Sequence, residues 1–314
     1  MGLIKVILLI TLLALMAYSG YYVYDNYLFS DAQGFSSSGG AQPENIDLTN
    51  ISGDIAQFYE NMRFNHNDIS FFIDPQCSSN ENLRMKRAFA ILSGQVPLVS
   101  FFELDNEQAD ILVACSPNFY EQEKNQFVVG EGGPTRVLGN LTIPVIEKGK
   151  IILYNQKGEQ CDYPITEIHE LLHVFGYEHI NKSDTIMYPY SDCDQKLDPE
   201  LISHMIQLYS IKPEPALVFQ EINGYQQTYL GQKYLSFNLS AANKGMIAAE
   251  NVMLIVYSIE NSQETQVYSA DFKIMDVGDV RLYSVENIKI SSSISTIKFL
   301  LKSGSKETSR TITI

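Results

Sequence analysis

An eleven-residue window, His169-Glu170-Leu171-Leu172-His173-Val174-Phe175-Gly176-Tyr177-Glu178-His179, constrains this chain more than any other stretch. It reads HExxHxxGxxH and holds three of the chain's five histidines. His169 and His173 are four residues apart, so a helix carries both on one face, where two imidazoles can meet one ion. Glu170 sits between them, beside that ion rather than necessarily on it. Gly176 lets the backbone leave helical geometry through a positive φ that a residue with a Cβ resists. The chain can then turn back and bring in His179 as a third ligand. Three neutral nitrogens around Zn²⁺ leave a fourth position for water, the arrangement of a catalytic rather than a structural site.

A bare HExxH also occurs on ordinary surface helices, so the residues that follow matter. Ser183-Asp184-Thr185-Ile186-Met187-Tyr188-Pro189 comes a few residues after His179. The window and this segment together resemble the metzincin clan of zinc endopeptidases, which carry a downstream turn with a methionine under the metal. Met-Tyr-Pro is most similar to the matrixin-type branch and its archaeal and bacterial relatives. In the astacin and serralysin branches a tyrosine two residues after the methionine reaches the zinc. Here that position is Pro189, and Tyr190 is one residue too far, so no tyrosine ligand carries over.

The resemblance implies an α+β fold with a mixed, mostly parallel five-stranded sheet and an active-site helix. It implies zinc ligands His169, His173 and His179, Glu170 as general acid and base, and Met187 packed beneath the ligands without a chemical role of its own. It implies a protein or peptide substrate, aligned along an edge strand expected at residues 141–146. Tyr188 and Pro189 either shape the pocket beside the site or form a plain turn. The competing reading is a catalytically silent, metzincin-shaped domain in a surface adhesin or scaffold. No motif histidine or glutamate is replaced, which speaks against it.

The 314 residues suffice for two domains after a tail is removed. A net charge of −15 argues against nucleic acid as a partner, because phosphates need a basic patch. Residues 3–24 are apolar or aromatic almost throughout, with Lys5 the only charge, and can span a bilayer as a helix. Lys5 lies at the start of the span and Asp25 and Asp31 follow it, which places the bulk of the chain outside a single-pass membrane anchor. A cleaved signal peptide, with secretion, is the alternative. Residues 25–53 read as a flexible stalk containing Ser36-Ser37-Ser38-Gly39-Gly40.

The catalytic domain is expected over 54–211. Its expected elements are a short helix at 55–62, a strand at 69–74, a helix at 80–92, and strands at 99–104 and 110–115. A turn-rich loop at 130–134 follows, then strands at 141–146 and 150–154, the active-site helix starting near Thr166, and a last helix opened by Leu197-Asp198-Pro199-Glu200. The 130–134 loop either borders the cleft or holds Ca²⁺, with Glu131 its only carboxylate. His66 and His204 read as structural or surface residues.

After a linker at 211–215 the period changes to short strands, read as an all-β sandwich over 212–314. Asn243-Lys244-Gly245 with Ala249-Glu250-Asn251-Val252 is similar to the Asn-x-Gly and Ala-x-Asn-Val pattern of prokaryotic Ig-like, adhesion-type domains of the CARDB kind. That resemblance implies a spacer, a substrate-presenting module or a contact to other surface proteins.

Cys77, Cys115, Cys161 and Cys193 allow three pairings in an exported chain. In the metzincin sheet the first and third strands are neighbours, which implies Cys77–Cys115 and leaves Cys161–Cys193 as a staple across the two walls of the zinc site. Four free thiols are the alternative.

Overall fold

Beneath the histidine window the chain builds a twisted sheet before it builds the helix that carries the window. A computed structural model describes residues 55–117, 120–123, 126–154, 161–229, 232–291, 293–294 and 296–313. The membrane segment expected at 3–24 and the stalk at 25–53 lie outside these residues. Among the described residues no helix is long and apolar enough to cross a membrane.

The sheet comprises β1 (Arg63–Phe64), β2 (Asp68–Ile73), β3 (Ser100–Glu103), β4 (Ile111–Ser116), β7 (Gly130–Leu138) and β8 (Val145–Tyr154), with helix α1 (Ser79–Gln95) between β2 and β3. A small hairpin, β5 (Tyr120–Glu123) and β6 (Gln126–Val128), precedes β7. The order is β1-β8-β4-β2-β3, with β7 on β8. The two-residue β1 and the longer β4 occupy successive stretches of β8, at Val145–Ile146 and Gly149–Tyr154. Every pairing is parallel except that of β7 with β8. The long strands therefore form the mostly parallel sheet implied by the resemblance, with β1 added in line.

α1 starts at a capping box, in which the Ser78 side chain and Glu81 satisfy each other's backbone N–H groups. It buries Met85, Ala88, Phe89 and Leu92, a single stripe at helical spacing. Helix α2 (Ile165–Val174) carries the window, and α3 (Pro199–Ser210) follows. The Asp198 carboxylate accepts from the Glu200 and Leu201 N–H groups, and Pro199 fills the first turn of α3, where its missing donor costs nothing. Fully buried Arg63 ties the far end of α3 to β1. It donates to the Leu208 and Ile211 carbonyls at 2.6 and 2.9 Å and lies 4.3 Å over the Tyr209 ring.

Three sequence expectations fail here, each for a non-local reason. Residues 55–62 form no helix. Their backbone groups pair instead with the turn after α2, through a bridge between Gln57 and Tyr177, and Asn61 takes a left-handed φ of 60°. Residues 130–134 are not a loop but the first half of β7. Pro134 is tolerated because it lies on an edge strand beside a register shift. No strand runs over 141–146 as a unit. The strand begins only at Val145 and runs to Tyr154, while 139–144 is irregular and held by a Thr142 N–H to Lys244 O bond of 3.0 Å.

Beyond α3 the strands are β9 (Leu217–Tyr229), β10 (Gln232–Asn243), β11 (Ala249–Glu260), β12 (Gln263–Met275), β13 (Val280–Ile290), β14 (Thr296–Ser303) and β15 (Lys306–Thr313). They form two antiparallel sheets, β13-β10-β9 and β12-β11-β14-β15. Period-two alternation on β11 buries Val252, Leu254 and Val256. These meet Leu235, Phe237 and Leu239 of β10 in one core. The turn after β10 docks on the first region. Met246 packs with Ile143 and Val145, Asn65 donates to Met246 O, and Lys244 Nζ donates to Asn140 O at 2.7 Å.

Asn243 is the polar hinge of that turn. It is fully buried. Its Oδ1 accepts from the Ala216 and Gly245 N–H groups, and its Nδ2 donates to the Ile247 and Met275 carbonyls, all within 2.8–3.1 Å. Asn243→Ala strands buried donors and acceptors together and is expected to cost about 2–4 kcal/mol. Urea unfolding followed by circular dichroism should show a lower midpoint; an unchanged midpoint would contradict the assigned role.

Candidate metal centre

α2 is buried along its whole length, against α1 on one side and β7 and β8 on the other. His169 and His173 leave one face, with their Nε2 atoms 3.0 Å apart. The helix then stops abruptly. Gly176 takes φ 86°, its N–H donates to His173 O, and the Tyr177 N–H donates to Leu172 O, the paired bonds of a Schellman cap. A Cβ on Gly176 would also stand 2.2 Å from Met62 Sδ, so conformation and space both require glycine. The turn brings His179 Nε2 to 3.2 Å from each of the other two Nε2 atoms.

The opposite nitrogens set the chemistry. His169 Nδ1 meets the Ile186 carbonyl at 2.6 Å, and His173 Nδ1 meets the Tyr177 carbonyl at 2.7 Å. A carbonyl only accepts, so we assign the single N–H of each neutral ring to Nδ1, which leaves a bare lone pair on Nε2. Lone pairs crowded in this way repel one another unless a cation sits among them. Zinc–nitrogen bonds of 2.0–2.1 Å in a tetrahedron separate the nitrogens by about 3.3 Å, close to the spacing seen here. Burial, the largest cause in each case, lowers His169 to about 4 and His173 to about 3, and lowers His179 as well. At neutral pH all three are in the ligand form. Among the described residues, this is the one group of three metal-type side chains whose ligand atoms converge.

Met187 lies buried in the hydrophobic core. Its turn is closed by Tyr188 N–H to Thr185 O and by Ile180 N–H to Met187 O, and it delivers the Ile186 carbonyl to His169. An ion pair between Lys182 and buried Asp198, 2.9 Å apart, joins the turn to the start of α3. Cys161 and Cys193 are disulfide-bonded, so the segment before α2 is tied to the segment after this turn, and Cys77 is bonded to Cys115 across the ends of β2 and β4.

Glu170 is 5% exposed. β7 lies directly on it. A Cβ on Gly132 would stand 2.1 Å from the Glu170 carbonyl oxygen, and one on Gly130 2.7 Å from its Cγ. The run of glycines that resembles a loop in the sequence is thus what lets the edge strand approach the helix. The Gly132 N–H donates to the carboxylate, but burial, with the charges of Glu131 and Glu167 behind it, raises Glu170 to about 8.

Residues 63–210 match the Matrixin family. They form a matrixin-like domain of metzincin type, running from β1 to the end of α3 and leaving the antiparallel sheets outside the match. The match supports a metallopeptidase, and matrixins depend on zinc. No curated protein matches the chain.

Some of the matrixin-like domain's supporting residues escape sequence reasoning. Glu167, 3% exposed, receives a two-pronged contact from Arg84 on α1, at 2.7 and 3.0 Å. Arg84 also donates to Cys161 O at 2.6 Å, fastening the approach to α2. The available signal was a second carboxylate one turn ahead of Glu170 on an otherwise apolar helix, since such a group needs a cation nearby. His204 is a core residue bonded to the Tyr177 hydroxyl, and His66 lies apart beside Asp110. The stretch considered for Ca²⁺ is a strand with Glu131 as its only carboxylate.

Without metal, Glu170 and the histidines pull stability in opposite directions. The folded protein holds the Glu170 proton up to about pH 8, against 4.5 for an ordinary glutamate, so this contribution is present at low pH and is lost as pH rises through that window. His169 and His173 oppose it, because stability falls as pH drops below 6.5 and the unfolded chain takes up their protons. Chelator-treated Glu170→Gln is therefore expected to match wild type near pH 4 and to be more stable by about 2 kcal/mol or more at pH 8.5. Thermal unfolding across that range checks it; equal stability at pH 8.5 would contradict the assignment.

Proposed function

We propose that the protein is a zinc-dependent endopeptidase hydrolysing peptide bonds of extracellular or cell-surface proteins. The observation that carries this reading is the convergence of three neutral Nε2 atoms beside a buried carboxylate, on a domain that matches the matrixins. His169, His173 and His179 would hold the ion. When bound, zinc supplies Lewis acidity, acidifying water and polarising a peptide carbonyl. Glu170 takes the proton from the attacking water and passes it to the leaving amine. The glycines of β7 bring the edge strand over Glu170, and an extended peptide adds to β7 as a further strand beside it. β7 thus takes the aligning role first expected of 141–146.

Two disulfides fit an oxidising compartment outside the cytoplasm. With the apolar segment at 3–24 they support a single-pass, membrane-anchored protein whose catalytic domain faces outward. The two antiparallel sheets after α3, joined in one core, support reading that part as an Ig-like sandwich that serves as a spacer, a substrate-presenting module or a contact to other surface proteins.

Purified protein is expected to hold one zinc per chain and to cleave casein or a peptide library. Glu170→Ala should retain the zinc and lose activity at least about 100-fold. A chelator should abolish cleavage, and added zinc should restore it. Zinc bound equally by both proteins with cleavage by neither would favour a catalytically silent scaffold instead.

A further inference from the structure

One exposed aromatic side chain stands beside His173 and a second follows it, on a stretch that precedes the matched segment. Residues 56–58 lie antiparallel to the turn after α2. The Phe58 N–H donates to Gly176 O at 2.8 Å, the Glu178 N–H donates to Ala56 O at 3.0 Å, and Gln57 bridges Tyr177. Gln57 Nε2 also donates to the Phe175 and Met62 carbonyls, both at 3.0 Å. These bonds hold the backbone at Ala56, Gln57 and Phe58 and so fix where the Phe58 and Tyr59 side chains leave it.

The Phe58 ring lies nearly parallel to the ring of His173, with centroids 6.1 Å apart and planes 15° apart, yet 44% of the residue is exposed. Tyr59 is 45% exposed, and its ring lies 3.5 Å from where a Cβ on Gly139 would stand, one residue past the end of β7. β7 starts over Glu170 at Gly130 and Gly132 and ends beside Tyr59. A peptide laid along that edge therefore runs from the general base toward the aromatic pair. Half-exposed aromatic rings offer a large apolar area for few rotatable bonds, so they bind apolar groups at little cost in ordering.

We infer that Phe58 and Tyr59 form an apolar subsite that selects substrates with a large aromatic or aliphatic side chain on the Gly139 side of the scissile bond. The inference rests on the endopeptidase reading. It assigns Phe58 a contact with substrate, beyond any steadying of His173.

The test is steady-state cleavage by the zinc-loaded full chain of fluorogenic peptides varied one position at a time among Phe, Leu, Ala and Asp. Wild type is expected to prefer Phe or Leu at one position by about tenfold or more. Phe58→Ala and Tyr59→Ala should each shrink that preference, chiefly through KM, with zinc content unchanged, and Phe58→Leu should keep part of it. Tyr59→Ala leaves the strap's backbone bonds and the Phe58 ring in place, so it decides the matter even if Phe58→Ala misfolds or loses zinc. A wild-type profile that neither alanine variant alters overturns the subsite alone. So does a uniform fall in kcat for every peptide, which would mean the rings only brace the fold. Wild type that holds zinc and cleaves no peptide overturns the endopeptidase reading itself, and the subsite with it.

Discussion

Three imidazole Nε2 atoms held within 3.2 Å of one another set the terms for everything around them. Each ring must be neutral and aimed, and aiming needs a fixed partner on the far nitrogen. Those partners come from different parts of the chain. Tyr177, in the turn after α2, holds His173, and Ile186, in the methionine turn, holds His169. Neutrality comes from burial, which requires α2 to run through the interior. A buried helix with two glutamates must then deal with two carboxylates. Glu167 is neutralised by Arg84, while Glu170 keeps only the Gly132 N–H and is left with a strong affinity for a proton. One group is an ion-paired anchor and the other is pushed toward its protonated form, although they stand three residues apart on one helix.

The rest of the matrixin-like domain holds these pieces at fixed separations. Arg84 links α1, α2 and the Cys161 carbonyl, and the Cys161–Cys193 bond continues from there to the segment beyond the methionine turn. Arg63 joins β1 to the end of α3, and Lys182 joins the methionine turn to its beginning. The antiparallel sheets reach the domain through the 139–144 connection, held by Lys244 and Met246. That connection links β7 to β8, so the contact touches the strand that overlies Glu170 without reaching the metal centre.

Much of this was legible in the sequence because its signals are local. The spacing of His169, His173 and His179, the Asp198-Pro199 start of α3 and the strands after the linker each depend on neighbours within a few residues. What misled lay where the partner is remote. Gly130-Glu131-Gly132-Gly133-Pro134 has the composition of a turn, and only the closeness of Glu170 explains glycines within a strand. Residues 55–62 suggest a helix until Gly176 and Glu178 supply their backbone partners. Arg84 and Arg63 gain their roles only from burial against Glu167 and the end of α3.

The sequence by itself determined the donor set, the carboxylate between the first two histidines, and the glycine that must follow them. Those follow from helical spacing and from the φ that only glycine takes without strain. Tertiary structure alone decided which nitrogen of each ring is free, how strongly Glu170 holds its proton, which strand lies over it, and which aromatic rings border the site. Each depends on groups distant in sequence, because desolvation, carbonyl partners and close approach exist only once separate segments pack together.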